Sequence, residues 1–371
     1  MGNSIFSMYW VYAIVSVLSI FFAYFAQSKY TNSNGVVRSK VNLIFLLLSF
    51  AIPWIVIGFT RIGADYSNYE MIIDRLDWTN LGEQGDSEYG FNMIAMALKS
   101  LLGGNVHGTI FLLKTLTILC IFASIYWMQD KVNIALSVMF YLFMLYLPSF
   151  YLLSQCLAAS LVVLVTAFFF RKGKLLLSLA LLVAIGFIHN SVFLYIPFFF
   201  ICAYGKPRKI KVGWLVALFV VAIVFSESIY RFAQTIEGFH YNNYMRNESS
   251  GTGLALYAWS VVMMFLVYQM YKYDTDVKRS SFLMYYSAAI CLFRILGMNF
   301  DVISRMELDF IFVYVILFPS YLRYHRETKK ESILYAAIIL FMLYNGYHTI
   351  TNRIGSTFSM MNYYIPVNPF E

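Results

Sequence analysis

A histidine stands at the centre of a long apolar stretch, in the run His189-Asn190-Ser191. An imidazole changes protonation near neutral pH, so His189 could accept a proton from a hydroxyl group or donate a hydrogen bond to a diphosphate oxygen. Basic clusters at 171–174 and 206–211 flank the stretch and should remain cytoplasmic. Each apolar arm is shorter than the ~20 residues of a full membrane span. The pattern predicts two short helices in a hairpin, with His189 at a tip inside the membrane; a packed core histidine is the alternative.

A second group of polar residues opens a long predicted loop, where Arg61, Asp65, Tyr66 and Tyr69 lie close together and Glu88 follows. The guanidinium of Arg61 could bind a phosphate through paired hydrogen bonds. Asp65 or Glu88 could accept a proton from a sugar hydroxyl, and the tyrosines offer ring faces to sugars. The alternative is an arginine and tyrosines that anchor a membrane interface.

Two further arginines lie late in the chain. Arg294 falls inside a predicted span, where an unpaired cation costs several kcal/mol. Either a lipid-linked anion or an acidic side chain such as Asp301 would stabilise it. Arg305 could bind the same anion or pair with Glu307 or Asp309. Function and simple ion pairing remain open for both arginines.

Composition indicates the elements that must hold these residues. Hydrophobic residues make up 60% of the chain, charged residues only 12%, and the mean hydropathy is +0.67. These values predict an all-α polytopic membrane protein with about twelve transmembrane helices, two of them short. Most Lys and Arg residues fall in segments that the positive-inside rule makes cytoplasmic, so the net charge of +8 indicates topology and not nucleic-acid binding. We expect one transmembrane domain over 1–371, with external loops at 61–108, 231–253 and 349–371.

Several classes of site are absent from the sequence. The four cysteines fall in predicted spans without metal-ligand spacing, and no zinc-protease, phosphate-loop, hydrolase or dinucleotide motif occurs. The missing motifs argue against ATP-driven transport, zinc proteolysis and an α/β-hydrolase nucleophile. Lys114 should face the interior of the helix bundle, in a role that the sequence does not assign. Because the long polar loops are on the predicted outer side, the working face should be external.

The ordered set of motifs resembles the EpsG-like branch of Wzy-type polysaccharide repeat-unit polymerases, over most of the chain. Such proteins often carry an Arg-Gln pair before a small-residue helix, where this chain has Ser154-Gln155. The resemblance implies a GT-C-like architecture and metal-independent glycosyl transfer at the outer face of the bacterial plasma (inner) membrane, with no cofactor. The substrate would be an oligosaccharide on undecaprenyl diphosphate, and a chain-length regulator is a candidate partner. Catalytic candidates are His189, Asp65 and Glu88; substrate-binding candidates are Arg61, Arg294, Arg305, Tyr66, Tyr69, Asn190, Ser191 and Gln155.

Two other functions fit a membrane protein with these residues. A flippase for the same lipid-linked oligosaccharide would also need cations in a cavity, but its polar residues should spread over both sides of the membrane. A membrane transferase that modifies surface glycans would need a path for its donor from the cytoplasm. The product of a polymerase could be an O-antigen, a capsule or an exopolysaccharide, and the sequence does not distinguish among them.

Overall fold

The computed structural model describes residues 6–31, 37–63, 65–82, 88–204, 253–274, 276–297, 303, 305–324, 329–354, 363–364 and 368–370. The chain divides into two compact units. The first unit contains Met1–Ile196 and Tyr314–Glu371, and the second contains Pro197–Val313. The chain leaves the first unit and returns to it, so the units are not consecutive halves. This division does not test the expectation of one transmembrane domain over 1–371, which stays a prediction.

Within the described residues, helices dominate and strands are few. Short 3₁₀ helices occur at Pro148–Phe150 and Met306–Phe310, and wider π-helical turns at Leu142–Tyr146 and Val313–Leu317. Strands β1 (Phe6–Ser7) and β4 (Tyr363–Tyr364) pair antiparallel, as do β2 (Gln27–Thr31) and β3 (Val37–Val41). The α-helices are α1 (Met8–Ala26), α2 (Leu43–Gly58), α3 (Tyr66–Arg75), α4 (Tyr89–Leu101), α5 (Val106–Trp127), α6 (Ile134–Tyr141), α7 (Leu153–Lys172), α8 (Leu175–Gly186), α9 (Val192–Tyr204), α10 (Gly253–Tyr273), α11 (Val277–Leu296), α12 (Phe318–Tyr324) and α13 (Lys329–Ile354).

Local sequence explains where several of these helices begin and end. Asn42, Asn105 and Asn133 precede α2, α5 and α6, and each side chain accepts a hydrogen bond from a backbone N–H of the first turn. Such caps satisfy donors that have no partner inside the helix. Helix α7 stops at Gly173, whose φ of 64° is favourable for glycine. Polar residues thus mark helix ends in an otherwise apolar chain.

Helices α5 and α7 form the centre of the first unit, where they pack along each other, and α2 packs on α5. On the other side of α2, helix α1 packs against both α2 and α6. The hydroxyl group of Tyr12 in α1 donates to the Leu142 carbonyl at 2.9 Å. The core is largely apolar, and hydroxyl groups within it, such as those of Ser49, Ser124 and Ser160, donate to backbone carbonyls three or four residues earlier.

Three helices in the described residues are long and apolar enough to cross a membrane, namely α1, α5 and α7. Shorter apolar helices include α8 and α9, which are the two short arms predicted around His189. The all-α membrane class is therefore confirmed, whereas the number of about twelve spans and the GT-C-like architecture stay predictions. The span predicted to start near Val212, almost all of the loop 231–253 and most of the tail 349–371 lie outside the described residues.

Candidate functional site

His189 lies at the tip of the α8–α9 hairpin. Its backbone N–H donates to the Ile185 carbonyl, and its carbonyl accepts from the Val192 N–H, both at 3.1 Å. These bonds close a tight connection between the two short helices. The His189 side chain remains 22% exposed, so its imidazole is held in place and still reaches the surface of the tip.

The beginning of α4 packs directly on this tip through a glycine. The Gly90 N–H donates to the Phe187 carbonyl at 2.8 Å. A Cβ atom added at Gly90 would lie 2.5 Å from that carbonyl oxygen and 2.6 Å from its carbon, closer than real contacts allow. Only glycine permits two backbones to approach this closely. The contact places Glu88, two residues earlier, beside His189.

Glu88 and His189 form a hydrogen-bonded pair at the tip. Glu88 Oε1 lies 2.7 Å from His189 Nδ1, and the Glu88 side chain is only 13% exposed. A carboxylate at this nitrogen accepts the Nδ1 proton and fixes the ring orientation, which leaves the Nε2 lone pair available as a base. The pair has the arrangement of an oriented general base.

Ser154 lies next to the same imidazole, and Tyr69 lies next to Ser154. Ser154 Oγ lies 3.5 Å from His189 Nδ1 and 3.3 Å from the Tyr69 hydroxyl, which also accepts from the Ser154 N–H at 3.4 Å. Burial raises the pKa of Tyr69 to about 12, and the charges of Glu88 and Asp65 act in the same direction. Tyr69 is therefore a neutral hydroxyl at physiological pH, and it serves as a hydrogen-bonding group and not as a base.

A buried lysine holds the loop before α3 in place. Lys114 is 1% exposed, and its Nζ donates to the carbonyls of Ile57 and Thr60 at 3.2 Å each. The same Nζ lies 5.1 Å from the centre of the Tyr66 ring, within the range of a cation–π contact. The predicted interior position of Lys114 is confirmed. Its role is to join the end of α2 to the start of α3.

Gly63 gives the loop its sharp change of direction. Its φ of 136° is rarely adopted by other residues. An added Cβ would lie 2.8 Å from the Cβ of Tyr151. The Gly63 carbonyl accepts the Tyr66 N–H at 3.1 Å, which starts α3. Both tyrosines of the predicted motif are thereby carried on one helix.

The remaining predicted residues of the first unit lie around this centre. Arg61 is exposed, and its Nη2 donates to the Asn368 carbonyl at 3.5 Å. Asp65 is half-buried at the start of α3, and Gln155 is buried in α7 next to Ser154. Asn190 is exposed at the tip, and Ser191 is half-buried beside it, with no hydrogen-bond partner for its Oγ among the described residues. The structure thus joins Glu88 to His189 directly and Tyr69 to His189 through Ser154, while the phosphate-binding role of Arg61 stays a prediction.

Arg294 and Arg305 belong to the second unit. Arg294 forms a two-point ion pair with Glu307, and its guanidinium lies 3.6 Å from the centre of the Trp259 ring. Glu307 therefore pairs with Arg294, although the sequence suggested it as a partner of Arg305. Asp301 lies outside the described residues. Arg305 is half-buried and precedes the 3₁₀ helix Met306–Phe310. Diphosphate binding by either arginine stays a prediction.

A second cluster, which the sequence interpretation missed, lies on another side of α3. His107 Nε2 is 3.3 Å from Glu70 Oε1, and His107 Nδ1 is 3.1 Å from the Tyr66 hydroxyl. The cluster borders an open groove of about 690 Å³. The groove is lined by Ser67, Glu70, Met71, Asp74, Arg75, Asn105, Val106 and His107. Among the described residues, no group of three or more His, Cys, Asp or Glu side chains could hold a metal ion.

Sequence signals existed for some of the missed residues. The α3 side of the groove, at positions 67, 70, 71 and 74, repeats at helical spacing and could have been recognised as one face. For Ser154 the only signal in the sequence was that it stands where the resemblance led us to expect an arginine. Its contacts with His189 and Tyr69 depend on the packing of α7, which no short motif encodes.

Comparison with known proteins gives one match. The model of the EpsG family matches residues 43–365, which is most of the chain. No curated protein and no solved structure matches significantly. The family match confirms the resemblance inferred from the motif order in the sequence. This chain belongs to the EpsG family.

Proposed function

We propose that this protein polymerises oligosaccharide repeat units carried on undecaprenyl diphosphate, by glycosyl transfer at the outer face of the bacterial plasma membrane. Membership of the EpsG family and the apolar helices support a membrane protein of polysaccharide biosynthesis and a glycosyltransferase-type polymerase. The observation that carries the proposal is the Glu88–His189 pair at the tip of the α8–α9 hairpin.

In this reaction His189 acts as the base. Its Nε2 accepts the proton of a sugar hydroxyl on the acceptor repeat unit, while Glu88 at Nδ1 stabilises the imidazolium that forms. The acceptor oxygen bonds to the anomeric carbon of the donor glycan as the bond from that carbon to the lipid diphosphate breaks. The proton stays on His189 until the lipid diphosphate or water removes it.

The neighbouring groups support this role. Ser154 lies within hydrogen-bond distance of the imidazole and is itself held by Tyr69, which limits the movement of the ring. Asp65 is close enough for its charge to raise the pKa of Tyr69, and is the alternative base. Negative charge develops on the departing diphosphate, and cations stabilise such charge. Arg61, Arg294 and Arg305 are the proposed cations, and Tyr66, Asn190, Ser191 and Gln155 are proposed contacts to substrate. The proposed mechanism uses no metal and no cofactor.

A deletion strain tests the function. Loss of a polymerase should leave surface glycan with a single repeat unit, whereas loss of a flippase should remove surface repeats entirely. Loss of a modifying transferase should leave the chain length unchanged. A ladder of normal length in the deletion strain would refute the proposal.

Complementation of that strain tests the base. His189→Ala and Glu88→Gln should both fail to restore chain growth at normal membrane levels. Asp77→Asn is the matched control, because the Asp77 carboxylate is exposed, lies in the same segment and accepts hydrogen bonds from the N–H and the hydroxyl of Thr79. Normal ladders from His189→Ala would show that the histidine is a packing residue.

A further inference from the structure

The groove between α3 and the start of α5 has no role in the proposed reaction step. It is open and measures about 690 Å³. Its α3 side carries Ser67, Glu70, Met71, Asp74 and Arg75, and its α5 side carries Asn105, Val106 and His107. All of these residues belong to the first unit, as does the Glu88–His189 pair.

The chemistry of the lining selects a class of ligand. Glu70 and Asp74 accept hydrogen bonds, Arg75 donates them, and Asn105 has an amide that could do both. The two carboxylates would repel a phosphate, a nucleic acid or another anion. A neutral ligand rich in hydroxyl groups can use the donors and the acceptors together. Met71, with 46% of its surface exposed, adds an apolar contact suited to the C–H face of a sugar ring.

Part of the lining is already held in place. Glu70 and Tyr66 contact opposite nitrogens of the His107 ring, at 3.3 and 3.1 Å. The Glu70 side chain remains 43% exposed, so one carboxylate bonds to His107 and still faces the groove. A positioned carboxylate of this kind binds a sugar hydroxyl without first losing much conformational freedom.

The groove and the Glu88–His189 pair lie near neighbouring residues of α3. Tyr69 and Glu70 are consecutive on α3, and their side chains diverge by about 100° around the helix. Tyr69 bonds to Ser154 beside His189, while Glu70 borders the groove. A chain of sugars that passes over α3 can therefore touch both places.

We infer that this groove is a carbohydrate subsite, which binds sugars of the lipid-linked oligosaccharide that lie beyond the sugar reacting at His189. The inference rests on the proposed function for the identity of the ligand. Glu70 is the main hydrogen-bonding group of the subsite. The groove binds sugars and not the diphosphate, so it acts on the affinity for the oligosaccharide and not on the chemical step.

The probe is the single repeat unit that a deletion strain accumulates, released from its lipid by mild acid. This water-soluble oligosaccharide has neither diphosphate nor polyprenyl tail, so it reports only sugar binding. Saturation-transfer NMR with the full-length protein in detergent measures the binding. Glu70→Gln and Ser67→Trp, the second of which fills the groove without changing its charge, should each weaken it at least tenfold. Asp77→Asn should bind as the wild type does.

Turnover of the intact lipid-linked unit distinguishes failure of the subsite proposal from failure of the proposed function. Glu70→Gln should raise KM for this substrate about tenfold and leave kcat within a factor of two. Wild-type binding in both Glu70→Gln and Ser67→Trp, with normal size-exclusion profiles, would overturn the subsite. No binding by the wild-type protein would also overturn it. Binding that depends on Glu70 in a protein that never extends the chain would support the subsite and overturn the polymerase.

Discussion

Replacement of Gly90 by alanine tests how precisely the hairpin tip must meet α4. The new Cβ would lie 2.5 Å from the Phe187 carbonyl oxygen and 2.9 Å from the Ile188 nitrogen. Both atoms are backbone, so no side chain can rotate away to relieve the contact. Alanine favours the helical conformation more than glycine, so the change should not weaken α4 itself.

The size of the effect follows from these distances. Ordinary contacts begin at 3.4 Å, so α4 must retreat from the tip by about 0.9 Å. A retreat of that size stretches the 2.7 Å contact between Glu88 and His189 to about 3.6 Å, beyond a hydrogen bond. A misplacement of about 1 Å can lower a catalytic rate roughly 100-fold. We therefore expect Gly90→Ala to lower the polymerisation rate about 100-fold.

The assay measures the rate of chain extension by purified protein and the amount of protein in the membrane. Gly82→Ala is the matched control, because a Cβ at Gly82 meets no atom of the described residues within 4 Å, and this glycine belongs to the same predicted loop. Gly82→Ala should retain the wild-type rate. A wild-type rate from Gly90→Ala would refute the argument that this close contact positions Glu88.

Three further changes have defined outcomes. Lys114→Met removes two hydrogen bonds of a buried donor and should lower the free energy of unfolding by about 2 kcal/mol, seen as a lower thermal midpoint in detergent. An unchanged midpoint would contradict the joining role. Tyr69→Phe should slow turnover about tenfold and leave the shape of the pH–rate profile between about pH 6 and 9 unchanged. The reason is that the pKa of Tyr69 is raised to about 12, so the hydroxyl stays protonated over this range. Loss of an ionisation from the profile would contradict this. Arg294→Met removes the partner of Glu307 and should lower the free energy of unfolding by about 3 kcal/mol. The double variant Arg294→Met/Glu307→Gln should recover most of this loss of stability. No recovery would argue against the pair.

Sequence was sufficient for the helical membrane class and for the two short helices on either side of His189. Both follow from local properties, namely the length of apolar runs and the positions of basic clusters. The sequence predicted Glu88 only as one of two candidate catalytic carboxylates, the other being Asp65. The structure separates the two, since Glu88 contacts the imidazole while Asp65 lies at the start of α3.

The remaining parts of the site depend on long-range packing. Ser154 meets His189 because α7 packs against α8, and Gly90 reaches Phe187 across almost one hundred positions of sequence. No local pattern encodes such contacts, so the sequence suggested a missing arginine at the place where the structure has a hydrogen-bonding serine. Glu70 and His107 were passed over for a similar reason, because they meet across two helices.

The most direct test of the proposed base uses purified protein, one defined lipid-linked repeat unit and electrophoresis of the lipid-linked product. The wild-type protein should convert the single unit into a ladder of longer chains. His189→Ala, present at the same concentration and with the same size-exclusion profile, should leave the single unit unchanged. A ladder from His189→Ala, or none from the wild-type protein, would contradict the assignment of His189 as the base of a polymerising glycosyltransferase.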